Sequence, residues 1–321
     1  MPANGEREAA TDGLSHQHTM GPRGSELLAL LERDPAARPD HLNLNGCRLQ
    51  TLPESLQRCT DARVLSVYDN ELTAVPEWVW KMTGLTTLNL SANRLAELAP
   101  GLGRLTGLQM LDLGHNGLST LPDVLGGLQE VRFLYLSNNR LTTLPDSLRH
   151  LGSLHYLNVT DNALTALPDW LGELATLVEF RAYTNALTSL PASLGALGEL
   201  RELHVMNNRL TSLPPELGNC ARLGKLMAQG NALTTMPEEI GKLGALTELN
   251  LRFNHLTELP ASLAELEHLR LLDLRANGLT ALPEGLAFLP NLEKLDLRWN
   301  RLTSLPPAFR RLEEQGCLIY T

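Results

Sequence analysis

The chain has 321 residues, a formal net charge of −9 and a sequence pI near 5.5, which argues against a nucleic acid backbone as its main partner. No run approaches the ~18 consecutive apolar residues of a membrane-spanning helix, and no basic segment followed by an apolar run marks a secretory signal. Its four cysteines are scattered, without the spacing of paired disulfides or of a metal site, which favours a reducing compartment. We therefore expect a cytoplasmic monomer.

The N-terminal segment predicts two elements. Residues 1–24 are polar and rich in glycine and histidine, as in a disordered tail, and His16 and His18 are more simply incidental than metal ligands. Ser25 then precedes the apolar stretch ELLALLER, a pattern that predicts a capped helix. We expect residues 25–39 to form a capping helix over the first face of the domain that follows.

A pattern of fixed length fills residues 40–311. Twelve copies of the pattern LxLxxNxL, some with another apolar residue or a cysteine at one position, recur every 23 residues, as in LYLSNNRL at 134–141. The asparagine position is occupied by Cys47, Asn70, Asn93, Asn116, Asn139, Asn162, Asn185, Asn208, Asn231, Asn254, Asn277 and Asn300. This period and leucine spacing are typical of leucine-rich repeats. The chain resembles that family, in particular its 23-residue Ras-group, plant intracellular and bacterial members, which share LPxxLxxLxxL after the asparagine. The resemblance implies an α/β solenoid: a horseshoe with a parallel concave β-sheet and short helical or 3-10 convex segments.

The asparagine needs a physical reason, because a buried amide loses water and requires partners. After each LxL strand the chain must turn, which leaves backbone groups without strand partners. We expect the amides to hydrogen-bond to the backbone of their own and adjacent repeats in a ladder. Six residues later, eleven of the twelve copies have proline, which suits the start of a short convex helix.

The C-terminal residues 312–321 predict a cap with the stub of a thirteenth strand. Leu318 and Tyr320 lie 23 residues after the last strand leucines, Leu295 and Leu297. We therefore expect Leu318 and Tyr320 to face the core.

Function in a solenoid depends on residues that vary between repeats. Because side chains alternate along a strand, the residues six, four and two positions before each asparagine form three exposed columns on the concave sheet. The candidate partner-binding residues are Met110, Phe133, Tyr135, Tyr156, Tyr183, Arg181, His204, Met206, Arg252, Arg275, Arg298 and Trp299.

Two groups in these columns each permit two interpretations. Met110, Phe133 and Tyr156 are consecutive in the first column, beside Tyr135, and an exposed aromatic and methionine cluster favours a contact site over scattered strand aromatics. The final repeats place Arg252, Arg275 and Arg298 in the third column, beside Asp273 and Asp296. These charges fit either a self-neutralising ladder or a row that grips carboxylates or a phosphorylated segment. Phe253 and Trp299 would add a stacking surface at the rim.

No sequence motif for catalysis, a phosphate loop or a metal site is present, so we expect no enzyme, cofactor or metal. The first hypothesis is an intracellular scaffold that binds a protein or peptide partner on its concave face. The resemblance to Ras-group members implies signalling, with a small GTPase as one candidate partner. The alternative is the substrate-recognition part of a bacterial effector or E3 ubiquitin ligase. That class needs a catalytic domain after the repeats, and Cys317 has none around it in this sequence.

Overall fold

The computed structural model describes residues 24–321. The sequence-predicted tail lies outside the described residues except for Gly24, which begins helix α1 (Gly24–Arg33). Leu27 and Leu31 of α1 are buried against the first coil of the solenoid. The carbonyl of Leu31 accepts a hydrogen bond from the guanidinium of Arg58, which ties the end of α1 to the convex side.

Thirteen short strands form one open parallel sheet within residues 24–321, and strands that follow one another in sequence are neighbours in the sheet. The strands are β1 (His41–Asn43), β2 (Val64–Ser66), β3 (Thr87–Asn89), β4 (Met110–Asp112), β5 (Phe133–Tyr135), β6 (Tyr156–Asn158), β7 (Glu179–Arg181), β8 (Glu202–His204), β9 (Lys225–Met227), β10 (Glu248–Asn250), β11 (Leu271–Asp273), β12 (Lys294–Asp296) and β13 (Leu318–Tyr320). This sheet lines the concave side, so the predicted α/β solenoid is confirmed.

Short 3-10 helices run along the convex side. They span Glu54–Arg58, Glu77–Lys81, Pro100–Arg104, Leu125–Gly127, Asp146–His150, Asp169–Glu173, Ala192–Ala196, Pro215–Asn219, Glu238–Lys242, Ala261–Glu265, Glu284–Phe288 and Pro307–Phe309. The repeat proline precedes most of them in an extended conformation, and its carbonyl accepts the first helical hydrogen bond, as from the Leu148 amide to Pro145. Across residues 24–321, no helix is long and apolar enough to cross a bilayer.

Each coil contributes one slice of a continuous core between the sheet and the convex helices. The fifth repeat illustrates the set. Its buried residues are Leu134, Leu136, Leu141, Leu144, Leu148, Leu151 and Leu154. A single coil could not cover these side chains by itself, whereas stacked coils cover one another. Because leucine fills the inner positions, the concave side chains are not needed for the core.

The repeat asparagines connect neighbouring coils through backbone groups. The Nδ2 of Asn139 donates to the carbonyls of Leu113 in the preceding coil, at 3.0 Å, and Leu136 in its own coil, at 3.1 Å. Its Oδ1 accepts from the amide of Leu118, at 3.0 Å. The same three bonds recur from Asn70 to Asn300. The predicted ladder therefore exists, and each asparagine side chain bridges backbone groups of its own and the preceding coil.

The residue immediately before the asparagine position has a left-handed backbone in every repeat, from Gly46 to Trp299. This conformation turns the chain sharply after the strand and lets the asparagine side chain reach back to the carbonyls of that strand. Glycine, asparagine and aspartate tolerate it well, as at Gly230 and Asn138, whereas a bulky residue there is unusual.

A column of glycines brings the convex helices of the middle coils close together. A Cβ added to Gly195 would lie 2.3 Å from the carbonyl oxygen of Glu216 in the next coil. Gly172, Gly218 and Gly241 meet the following coil in the same way. Because the obstacle is backbone, it cannot move aside as a flexible side chain could.

The last coil is one residue longer than the repeat, which corrects the expectation for Leu318 and Tyr320. Leu318 pairs with Lys294 rather than Leu295, and Leu318 and Tyr320 are exposed while Ile319 is half-buried. Here the convex segment continues into an α-helix, α2 (Arg310–Glu314), followed by Gly316 with φ of +90°. An α-helical turn uses more residues than a 3-10 turn, and a shift of one residue moves each strand side chain to the opposite face.

Asn139→Leu should lower the free energy of unfolding by about 1–3 kcal/mol, because the backbone amide of Leu118 loses its buried partner and the carbonyls of Leu113 and Leu136 each lose one of two asparagine donors. Chemical denaturation of the parent and the variant measures this difference. Asn219→Leu is the matched control, since Asn219 is exposed on the convex side. Equal losses in the two variants would contradict a specific role for the ladder.

Gly195→Ala should also destabilise the protein, by about 1–3 kcal/mol, because the added methyl overlaps the backbone of the next coil. Gly198→Ala should not, since a Cβ at Gly198 meets nothing within 4 Å. Thermal unfolding of both variants tests this difference, and a neutral Gly195→Ala would show that the convex helices separate easily.

Candidate partner-binding surface

The solvent face of the sheet presents side chains in columns, as the sequence predicts. Strand register aligns His41 with Val64 at one end of the first column and Leu271 with Lys294 near the other. Neighbouring parallel strands are about 4.7–4.9 Å apart, so side chains in one column touch their neighbours. A partner on this face therefore meets clusters that extend over several coils.

One such cluster, here called the aromatic cluster, consists of Met110, Phe133, Tyr135 and Tyr156. Phe133 lies between Met110 and Tyr156 in the first column, and the rings of Tyr135 and Tyr156 are 4.9 Å apart between centroids, tilted by 40°. Met110, Phe133 and Tyr135 are half-buried. The structure thus brings these four residues together on the concave side.

Tyr156 is not an exposed contact residue, which corrects the expectation from sequence. Only 8% of its surface is accessible. Tyr135 packs on one side of its ring, and the guanidinium carbon of Arg181 lies 5.6 Å from the ring centroid. Tyr156 therefore supports its neighbours, and Phe133, Tyr135 and Met110 present the accessible surface of the cluster.

The next coils carry a charged belt, defined as Glu179, Arg181, Glu202, His204 and Lys225. Arg181 pairs with Glu179, while His204 Nε2 and Lys225 Nζ each lie 3.0 Å from a carboxylate oxygen of Glu202. Burial from water raises the pKa of Glu202, but the hydrogen bonds from His204 and Lys225 outweigh this effect and hold the pKa below its usual value. The belt is thus a connected ion-pair network on the concave face.

The belt also contains three side chains of the kind that bind metals. The ligand atoms of Glu179, Glu202 and His204 lie within 4.8 Å of one another. However, Arg181 and Lys225 already pair with the two carboxylates, and a cation would have to displace both. The geometry favours the ion-pair network. Tyr183 and Met206, the two remaining candidates, are half-buried neighbours in the third column.

The arginine row comprises Arg252, Arg275 and Arg298, which alternate with Asp273 and Asp296. Arg275 Nη2 lies 2.8 Å from Asp273 Oδ2, and Arg298 Nη2 lies 2.6 Å from Asp296 Oδ2. Arg275 also approaches Asp296, with Nε 3.4 Å from Oδ2. The charges of Arg275 and Arg298 are therefore neutralised by the neighbouring aspartates. This agrees with the self-neutralising ladder, one of the two interpretations drawn from the sequence.

Asp296 is the buried carboxylate that holds the guanidiniums of Arg298 and Arg275 in this row. It is fully buried, and its carboxylate accepts hydrogen bonds from the guanidinium and the amide of Arg298. Burial raises the pKa of Asp296, but the hydrogen bonds from Arg298 and the charges of Arg275 and Arg298 outweigh it and leave the pKa below its usual value.

Beside the row, Phe253 and Trp299 form the rim pair. Their ring centroids are 6.3 Å apart, and they are 50% and 68% exposed. Leu271, which is not among the candidates chosen from sequence, is also exposed in the first column of these coils and lines a shallow concavity with Glu248 and Lys294. The sequence feature that could have identified Leu271 is an apolar residue in an outward-facing column.

The open stack of 23-residue coils defines a solenoid repeat protein. Comparison with known protein families identifies the repeat family to which it belongs. The family models described as leucine rich repeat match residues 40–59, 83–141, 245–302 and 267–314, and one described as leucine-rich repeat region matches 123–231. The chain belongs to the leucine-rich repeat family. No curated protein sequence matches it significantly.

Solved structures agree with this assignment. A leucine-rich repeat protein of Leptospira interrogans is 32% identical with a TM-score of 0.83, over 88% of this chain and 72% of that one. The ectodomain of the Arabidopsis thaliana receptor kinase GASSHO1/SCHENGEN3, in complex with CASPARIAN STRIP INTEGRITY FACTOR 2, is 31% identical with a TM-score of 0.67, over 81% of this chain but only 35% of that one. An internalin of Listeria monocytogenes, InlF, shares the fold at 20% identity, with a TM-score of 0.76 over 92% and 93% of the two chains.

Asp296→Asn should lower the unfolding midpoint at pH 7, because the arginines lose a buried carboxylate. The folded-state pKa of Asp296 is below the unfolded value, so its contribution is present above pH ~4 and is lost as the pH falls through the folded-state pKa. The difference between variant and parent should therefore shrink at pH 3. Glu293→Gln, which removes only an exposed pair with Arg270, is the control. A difference that does not change between pH 7 and pH 3 would contradict this assignment.

Proposed function

We propose that the chain is a non-enzymatic interaction module that binds a protein or peptide partner on its concave face. The observation that carries this proposal is the aromatic cluster. The core is complete without Met110, Phe133 and Tyr135, yet these large side chains stand together on the sheet face. Aromatic and methionine residues are enriched in the centres of protein interfaces.

The family gives this proposal its context. Leucine-rich repeat domains are protein-interaction modules, and the Arabidopsis receptor ectodomain was solved with a bound factor. By analogy, the partner of this chain is a protein or peptide that lies along the columns. A role in intracellular signalling, with a small GTPase as one candidate partner, rests on the resemblance to Ras-group repeats. A cytoplasmic monomer remains part of the proposal, and the four unpaired cysteines are compatible with it.

The alternative, a substrate-recognition part of an effector or ubiquitin ligase, would use the same concave face. In that case Cys317 is a poor candidate for the thioester-forming residue. It is buried, and burial raises the pKa of its thiol to about 11, with a further contribution from the charge of Glu313. A catalytic thiol requires the opposite shift, toward the thiolate.

Phe133→Ala should weaken partner binding about tenfold or more while the unfolding midpoint stays close to that of the parent, because a truncated interface anchor loses contact area but the core is untouched. Affinity capture from the source organism, with parent and variant as baits, followed by affinity measurement on the recovered partner, tests this. Phe288→Ala is the matched control, since Phe288 is an exposed phenylalanine on the convex side. Loss of binding in the control but not in Phe133→Ala would move the site off the concave face.

A further inference from the structure

The rim pair places two aromatic residues at the left-handed position that every repeat has before its asparagine, and the fold does not require aromatic residues there. Phe253 and Trp299 take the left-handed backbone position, with φ of 55° and 60°, which costs a residue other than glycine about 1–2 kcal/mol. Most repeats fill this position with a small or short polar residue, such as Ala276 between the two aromatics. Both rings remain at least half exposed, so little burial offsets the strain. Two large rings at a position that favours smaller residues, without burial to offset the cost, point to a contact with another molecule.

The charges next to the rim pair do not cancel. Three guanidiniums share the carboxylates of Asp273 and Asp296, and the pairs of Arg275 and Arg298 occupy these at 2.6–3.4 Å. Arg252 is left at 3.8 Å from Asp273 Oδ2, beyond hydrogen-bond distance, and its Nε has no hydrogen-bond partner among the described residues. Lys294 and Glu248 line the concavity beside the row, and their formal charges sum to zero. One positive charge therefore remains, on the residue directly before Phe253.

We propose that Arg252, Phe253 and Trp299 form a subsite for an acidic peptide segment of the partner. A carboxylate of the segment pairs with Arg252, and an adjacent apolar or aromatic side chain lies on the rim pair. This subsite rests on the proposed function and gives the partner a defined chemistry. The aspartates hold Arg275 and Arg298 in place, so Arg252 is the guanidinium that can turn toward the incoming carboxylate.

The charge count selects a carboxylate in a peptide over other anions. A carboxylate carries one negative charge and matches the single uncompensated guanidinium, whereas a phosphorylated side chain carries about −1.5 to −2 and would exceed it. An anionic membrane surface is attracted by several basic residues acting together. The patch offers one uncompensated positive charge, with Asp273, Asp296 and Glu248 close by.

A random 12-residue peptide library displayed on phage, selected on the full chain and counter-selected on the Arg252→Gln/Trp299→Ala variant, tests this chemistry. The expected result is a set of peptides with Asp or Glu within two residues of Trp, Phe or Leu. Synthetic versions are then measured by fluorescence anisotropy. Arg252→Gln and Trp299→Ala should each weaken binding about tenfold or more. Alanine is native at the same backbone position in Ala276 and Ala92, so Trp299→Ala should fold.

Matched controls separate this subsite from general effects. Arg209→Gln and Phe288→Ala remove an exposed arginine and an exposed phenylalanine elsewhere and should leave the affinity unchanged. Replacing the acidic residue of the peptide by its amide should remove the effect of Arg252→Gln, because a direct pair makes the two changes non-additive.

Four outcomes would overturn the subsite: no selected peptide, selected peptides without an acidic residue, affinity losses no larger than those of the controls, or rim-dependent binding to phosphatidylserine vesicles in place of peptides. If a parallel selection without the counter-selection yields only peptides that depend on Phe133 and not on Arg252 or Trp299, the subsite is wrong while the proposed function stands. If a partner captured from the source organism binds through neither surface, the proposed function itself fails.

Discussion

The bridging asparagine is the interaction on which the rest of the structure depends. The side chain of Asn139 donates to two backbone carbonyls and accepts from one backbone N–H, and these groups lie in two successive coils. Each of these carbonyls also accepts from a neighbouring asparagine, so the side chains link the coils in series. The asparagine must therefore keep a fixed position after its strand, where it reaches the coil before it. These hydrogen bonds recur at the strict 23-residue period of the sequence, from Asn70 to Asn300.

This constraint separates the residues that build the protein from those that can vary. Leucines fill the inner positions, glycines such as Gly195 allow the convex helices to approach, and prolines begin those helices. The side chains in the outward-facing columns of the sheet are not needed for any of these structural roles. They carry the aromatic cluster, the charged belt and the arginine row in succession along the solenoid, and this change of character from coil to coil is what a specific partner can recognise.

The sequence predicts most of the fold because the repeat is strict, but it predicts less where a single side chain or an end departs from the pattern. Alternation places Tyr156 on the concave face correctly, yet only the positions of Tyr135 and Arg181 show that its ring is covered. The frame of Leu318 fails because the 23-residue spacing was extended past α2, where the convex segment changes helix type. Column order likewise reveals the arginine row, but distances are needed to show that Arg252 alone lacks a hydrogen-bonded carboxylate.

Amide hydrogen exchange measured by NMR tests the central role of the asparagines most directly. The amides two residues after each repeat asparagine, such as Leu95, Leu118 and Leu141, donate to the Oδ1 of the next asparagine. If the asparagine side chains hold the coils together, these backbone amide protons exchange only when the solenoid unfolds as a whole, at rates governed by the global free energy of unfolding. Exchange of these amides at the rate of an unstructured peptide, while the strand leucines stay protected, would show that the coils stack without the asparagine bridges.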